Sequence, residues 1–247
     1  MKIAIVTGAS SGIGASYVCQ LAEKYSWLDE IWVIARNETA LWTLKRQCIV
    51  PLRVFAMDIT QTENLLRLEE ELEKVKPYVK YFVNAAGCGI NKKIKETDLM
   101  DCNRMLEVNC NALTLLTKIV LPYCGKKIVM LASASAFLPQ PGFAVYAASK
   151  SYVLSFSRAL RRELKKTGTT VTIVCPGPVD TPFLDTIGGK DSIPVIKRPF
   201  IMKTDKVVSV AIKDAAKGKE LSIPGISMKC FFRICKIVPH KVLLKFT

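Results

Sequence analysis

The first fourteen residues restrict the choice of fold more than any other stretch. Lys2 to Val6 is a short run of β-branched and apolar side chains that reads as a strand. It leads directly into Thr7-Gly-Ala-Ser-Ser-Gly-Ile-Gly14, and a helical pattern follows through Lys24. Strand, glycine turn and helix in that order set backbone N–H groups and a helix N-terminus against a pyrophosphate. Gly8 permits the tight turn, Gly12 the approach of a phosphate, and Gly14 close packing of helix on strand. A glycine triplet alone is a weak sign. One that follows a strand and opens a helix has the context the chemistry requires.

The same alternation continues along the chain. Further strands are expected at Glu30 to Ala35, Leu52 to Met57, Tyr78 to Val83, Lys126 to Ser133 and Thr170 to Cys175. Between them lie helical patterns at 61–76, at 98–121 (one long helix) and from Val145 to about Lys166. No repeat or linker breaks the series. The expected fold is therefore α/β: a single Rossmann-type doubly wound parallel sheet of about seven strands with helices on both faces. Residues 1–225 would form this domain, including a Pro- and Gly-rich substrate flap at 182–203, and 226–247 a basic apolar tail.

Composition excludes several classes. Half of the 247 residues are hydrophobic, enough for a large core, yet no stretch approaches the ~18–20 uncharged apolar residues of a membrane span. The N-terminal apolar run is too short for a signal peptide. Nine cysteines are scattered without a Cys-x-x-Cys, and His240 is the sole histidine. Neither a disulfide framework nor a metal site is expected, and the cytoplasm is the default compartment. The net charge of +15 favours anionic partners, but no nucleic-acid-binding motif accompanies it, so no nucleic acid is expected.

Cofactor selectivity can be read at the end of the second strand. NAD-selective sites place an acid there for the ribose 2′-hydroxyl. Here Ala35 occupies the place and Arg36 follows, which suits a 2′-phosphate and predicts NADP(H). After the third strand, Asp58-Ile59 can meet the adenine, or Asp58 can simply cap the next helix. After the fourth, Asn84-Ala85-Ala86-Gly87 offers small side chains that let a cofactor lie against the backbone.

Reaction chemistry is suggested by Ser133 to Lys150. Tyr146 and Lys150 stand four apart at a helix start and share one face. A cation beside a phenol favours the phenolate and draws its pKa toward the working range. Ser133, ending an apolar strand, can hold a carbonyl oxygen while Tyr146 protonates it. Tyr-x-x-x-Lys alone is common in ordinary helices; its weight comes from the surrounding order of motifs. Asn109 and Asn111 lie among apolar residues of the long helix, where a buried asparagine has a hydrogen-bonding role.

Taken together, these motifs resemble the short-chain dehydrogenase/reductase superfamily over residues 2 to about 224. The matching marks are Thr7–Gly14, Asn84–Gly87, Ser133, Tyr146-Ala-Ala-Ser-Lys150 and Pro176-Gly-Pro-Val-Asp-Thr181. Pro-Gln-Pro-Gly-Phe-Ala-Val-Tyr is similar to a bacterial branch with members labelled DltE-like oxidoreductases. The resemblance implies that Tyr146 is the general acid or base, Lys150 its pKa-lowering partner and ribose ligand, and Ser133 the carbonyl-orienting group. It implies that Asn109 holds a water in a proton relay and that Asn84 stabilises the sheet near the cofactor. Ser10, Ser11, Gly12, Ile13 and Gly14 would line the phosphates, with Gly8 in the turn. Pro176, Gly177, Val179 and Thr181 would meet the nicotinamide. A homodimer or homotetramer is implied through the helices near 100–121 and 147–165.

Apolar stretches after the fourth, fifth and sixth strands should wall a substrate site. Ser135, Phe137, Phe143 and Phe183 join Ser133 and Tyr146 as candidates, favouring a lipophilic carbonyl or alcohol such as a steroid-like ring or fatty chain. A 3-oxoacyl-thioester reductase and a non-catalytic NADP(H) sensor are the competing readings. The tail carries Lys229, Arg233, Lys236, Lys241 and Lys245 among apolar residues and no acid. It can lie on an anionic membrane, form a lid at the site or make a subunit contact.

Overall fold

The computed structural model describes residues 1–189 and 195–246. Part of the expected flap, 190–194, lies outside the described residues. Seven parallel strands form one sheet in the order β3-β2-β1-β4-β5-β6-β9. They are β1 (Lys2–Thr7), β2 (Glu30–Ala35), β3 (Leu52–Ala56), β4 (Tyr78–Asn84), β5 (Cys124–Leu131), β6 (Thr170–Val174) and β9 (Leu221–Ser222). β7 (Val179–Asp180) and β8 (Met202–Lys203) pair separately.

The strands are apolar throughout because both faces of the sheet are covered. Side chains of β1 alternate between two cores. Ile3 and Ile5 pack with Leu65, Leu68 and Leu72 of α3 (Thr62–Val75) and with Leu116 and Val120 of α5 (Leu113–Val120). Ala4 and Val6 pack with Val18 and Leu21 of α1 (Gly12–Lys24), and with Val208 and Ala211 of α8 (Thr204–Ala216). α2 (Glu38–Gln47) joins this second layer through Leu41 and Leu44, and Asn37 caps it by accepting from the Ala40 amide. The chain reverses direction across the sheet between β1 and β4, and a crevice opens there at the strands' C-terminal ends.

The expected long helix over 98–121 is divided. α4 (Leu99–Leu106) passes into a π-helical stretch, Glu107–Ala112, before α5 resumes. α6 (Ala144–Glu163) carries the Tyr-x-x-x-Lys pair, and α7 (Pro182–Thr186) begins the flap. The tail is largely helical: α9 spans Ile226–Ile237 and α10 His240–Leu243. α9 is not a free appendage. Phe231, Phe232 and Cys235 pack on the core beside the turn Ala134–Phe137, with the Phe232 ring 4.7 Å from that of Phe137.

Candidate active site

The crevice is a cavity of about 1010 Å³ with two continuous halves. One half is built from strand ends and glycine turns. At its floor, Thr7 and Asn84 join β1 to β4. The Thr7 hydroxyl donates to Asn84 Oδ1 at 2.9 Å and accepts from the Ala85 and Ala86 amides, both at 3.0 Å. Asn84 Nδ2 donates to the Leu113 carbonyl at 3.2 Å. Gly8 has φ +66°, and a Cβ there would lie 2.9 Å from Ala86 Cα. A side chain would thus push the two turns apart.

Ser10, Ser11, Gly12, Ile13 and Gly14 line the cavity where α1 begins. Ser11 makes no side-chain cap and the first turn of α1 carries no acid, so its N–H groups face the cavity without a protein anion. Arg36 and Asp58 line the far end, with Ile59 beside them. Asp58 accepts from the Thr60 amide and hydroxyl at 3.0 and 2.8 Å, a local turn ahead of α3, whose N-cap is Gln61 and carries no side-chain cap, so Asp58 does not cap that helix. Its carboxyl sits below the ordinary value. Burial works against this, and the Thr60 hydrogen bonds with the charges of Arg104 and Arg36 outweigh it. Arg104, on α4, lies 3.5 Å from Asp58 and lines the same half. Nothing local in the sequence marks it, because the contact joins two elements far apart in the chain. Ala85, Ala86, Gly87, Pro176, Gly177, Val179 and Thr181 line the middle. These groups suit a dinucleotide: free N–H donors for phosphate, cations at one end, and backbone with small side chains between.

The other half centres on Tyr146. Phe143 stacks on it at 4.3 Å between centroids and Phe183 leans on it at 5.5 Å, so the phenol is held between two rings. Ser133 lies two residues beyond the end of β5, which stops earlier than expected, and its hydroxyl faces the phenol. Lys150, one turn along α6, donates to the Leu131 carbonyl at 3.0 Å and lies 5.7 Å from the centre of the Tyr146 ring.

Electrostatics here depart from the expectation. Lys150 was expected to bring the Tyr146 pKa down, but burial pushes the phenol up to about 12, and the Ser133 hydrogen bond offsets only part of this. Burial also brings Lys150 down to about 8. Both groups are enclosed, so each disfavours its own charged form, and the ammonium is turned to a carbonyl rather than to the phenol oxygen.

Three expected site residues do not line the cavity. Phe137 is buried against Phe232, because the stretch after β5 turns Ala134–Phe137 inward as a 3₁₀ turn; Ser135, Gln140 and Phe143 provide the wall instead. Asn84 supports the cofactor half from beneath. Asn109, wholly buried in the π stretch, has its amide filled by protein. Its Nδ2 donates to the Cys88 carbonyl at 2.8 Å and to Ser149 Oγ at 2.9 Å, and its Oδ1 accepts from the Cys88 amide at 2.9 Å. Its side chain ties the loop after β4 to the π stretch. Asn111 is exposed and donates to Glu107. The sequence did not place Phe200, Ser227, Met228 or Phe231 in the wall, yet all four line it. The last three come from α9.

Comparison with known proteins agrees with this geometry. A family model described as short chain dehydrogenase matches residues 2–191. An uncharacterised oxidoreductase of Staphylococcus epidermidis is 32% identical over 188 residues, covering 74% of this chain and 80% of its own. Sulfoacetaldehyde reductase 2 of Chromohalobacter salexigens is 32% identical over 189 residues, covering 73% of this chain and 74% of its own. Among solved structures, a short-chain dehydrogenase of Sphingobium yanoikuyae in complex with NADPH superposes with a TM-score of 0.83 at 23% identity, covering 99% of this chain and 95% of that one.

Proposed function

This chain belongs to the short-chain dehydrogenase family, and from its site we infer an NADP(H)-dependent oxidoreductase that interconverts a ketone and a secondary alcohol on a lipophilic substrate. Membership makes it an NAD(P)-dependent enzyme of CH–OH and C=O groups; the preference for NADP(H) and the substrate class are our reading. One observation carries it: an apolar aromatic pocket around Ser133, Tyr146 and Lys150 is continuous with a dinucleotide-shaped half that ends at Arg36.

A nicotinamide dinucleotide would be held in that half by the Gly8–Gly14 turn and Arg36, and would supply the hydride chemistry. The protein's part is positioning and proton movement. Ser133 donates to the substrate oxygen and fixes it beside the phenol. Tyr146 gives its proton to that oxygen in reduction and takes it back in oxidation. A phenol held near 12 keeps its proton until the oxygen becomes basic. Lys150, within one helical turn, then neutralises the phenolate that forms, and Phe143 with Phe183 keeps water from the ring.

The relative named as a sulfoacetaldehyde reductase points to a small anionic carbonyl instead. Among the described residues, the substrate half presents no Lys or Arg apart from Lys150, which disfavours a sulfonate. Leu99, Met100, Leu106 and Tyr152 are exposed on α4 and α6 and support a homo-oligomer assembled through those helices.

Consumption of NADPH and NADH at 340 nm against ketosteroids, 3-oxoacyl thioesters, bulky aryl ketones and sulfoacetaldehyde tests the reading. Turnover of a bulky ketone with NADPH is expected. Turnover confined to sulfoacetaldehyde would replace the substrate class, and tight NADPH binding without turnover across the panel would favour a sensor.

A further inference from the structure

α9 has three longitudinal sectors, and only one of them is used by the fold. At about 100° per residue, Ser227, Met228, Phe231, Phe232 and Cys235 share the inner face. Met228 lies against Gly177, where a Cβ would come within 2.6 Å of its sulfur, and Phe232 lies on Phe137, so the rotation of the helix about its axis is fixed. A second sector, Ile226, Cys230, Ile234 and Ile237, points outward. Ile226 and Ile237 are 81% and 82% exposed and Ile234 48%. The third sector is basic: Lys229, Arg233 and Lys236, all exposed. An amphipathic helix that serves only a core needs one apolar face. This one has a second, bordered by cations and followed by Lys241 and Lys245, with no acidic residue anywhere in 226–247.

We propose that this outer face docks on the surface of an anionic lipid bilayer, with α9 lying in the plane of the interface. The isoleucines would enter the acyl boundary and the Lys and Arg side chains would reach the headgroups. A second copy of the chain is the other occupant of an apolar face. It would bring the same five uncompensated cations to the contact, and like charges oppose such pairing. Crossing the membrane is a different matter: among the described residues, no helix is long and apolar enough to do so. Because the inner face of the same helix walls the cavity, docking would place the substrate half beside the bilayer. The docking itself does not depend on which carbonyl the site reduces.

Flotation of the full chain with vesicles tests this without any substrate. Binding to phosphatidylcholine vesicles containing about 30 mol% phosphatidylglycerol is expected, with little binding to phosphatidylcholine alone and release at high salt. Ile226→Asp with Ile237→Asp should lower partitioning by at least about tenfold, because each side chain loses its apolar burial. Ile49→Asp, exposed on the turn before β3, should float as wild type. Unchanged circular dichroism and NADPH binding would show that the double variant is folded. Failure of the wild type to float, or equal flotation on neutral vesicles, would overturn the proposal. So would a wild-type dimer in sedimentation that the double variant converts to monomer without any vesicle binding.

Discussion

The Asn109 side chain grips Cys88 at both ends of one residue, accepting from its amide and donating to its carbonyl. This two-point clamp ties the π stretch to the loop after β4. It sets the wall beside Lys150, since a Cβ on the neighbouring Gly87 would lie 3.1 Å from Lys150 Nζ and 3.2 Å from Asn109 Oδ1. Asn109 is therefore a positioning residue. Asn109→Ala would leave the half-buried N–H and C=O of Cys88 unpaired and should cost about 2–3 kcal/mol. For a chain of this length, that is a fall in Tm of roughly 5–10 °C, read by thermal unfolding. Loss of turnover at unchanged Tm would return Asn109 to the proton path.

Tyr146→Phe removes the proton and keeps the ring between Phe143 and Phe183. The kcat should fall by about 10²–10⁴-fold while NADPH binding, followed by fluorescence, stays close to wild type.

Arg36→Asp replaces the cation at the end of β2 with the acid typical of NAD sites. The loss of charge-assisted hydrogen bonds should raise the KM for NADPH by about 10–100-fold, with the NADH value unchanged or lower. Equal kinetics with both cofactors in wild type would remove Arg36 as the selector and turn attention to Arg104.

The buried lysine makes stability depend on pH in a defined direction. Lys150 titrates at about 8 in the folded protein against 10.5 in the unfolded chain. Between those values the unfolded chain holds the extra proton, so this group adds stability as pH rises through the window. Below pH 8 the native state carries an enclosed ammonium. Lys150→Met should therefore raise Tm relative to wild type most at pH 7, and the difference should shrink by pH 10. Tyr146 acts in the opposite sense higher up: its pKa near 12 exceeds the ordinary 10, so its contribution is lost between them.

Met228→Ala and Phe231→Ala enlarge the substrate half from the α9 side. The KM for a bulky ketone should rise by about tenfold, with NADPH affinity unchanged. A shift in cofactor affinity instead would place α9 against the dinucleotide.

The frame of the molecule was legible because it rests on local patterns. Apolar runs separated by amphipathic helices dictate the covered parallel sheet, and Gly8 to Gly14 has only one sensible place in it. Tyr146 and Lys150 were legible for the same reason, being one helical turn apart. What the chain did not disclose depends on contacts between distant elements. Phe137 and Phe143 are alike in sequence; Phe232, ninety-odd residues later, draws one into the core and leaves the other at the cavity. Thr7 reads as a strand end, yet its hydroxyl organises the turn after β4. The pKa of Tyr146 follows from how deeply the ring is enclosed, which spacing does not measure.

The π stretch has a consequence for how this region tolerates change in length. A helix that carries one surplus residue holds its two ends in a phase that no regular α-helix of the same span can reproduce. Deleting the surplus residue from 107–112 would let the hydrogen-bond ladder close as a regular α-helix, with α4 and α5 keeping nearly the phase they have now. Leu113, Leu116 and Val120 would stay on the sheet, while the wide turn that presents Asn109 to Cys88 would be gone. The extra residue therefore serves the loop after β4 and not the packing of the helix that carries it.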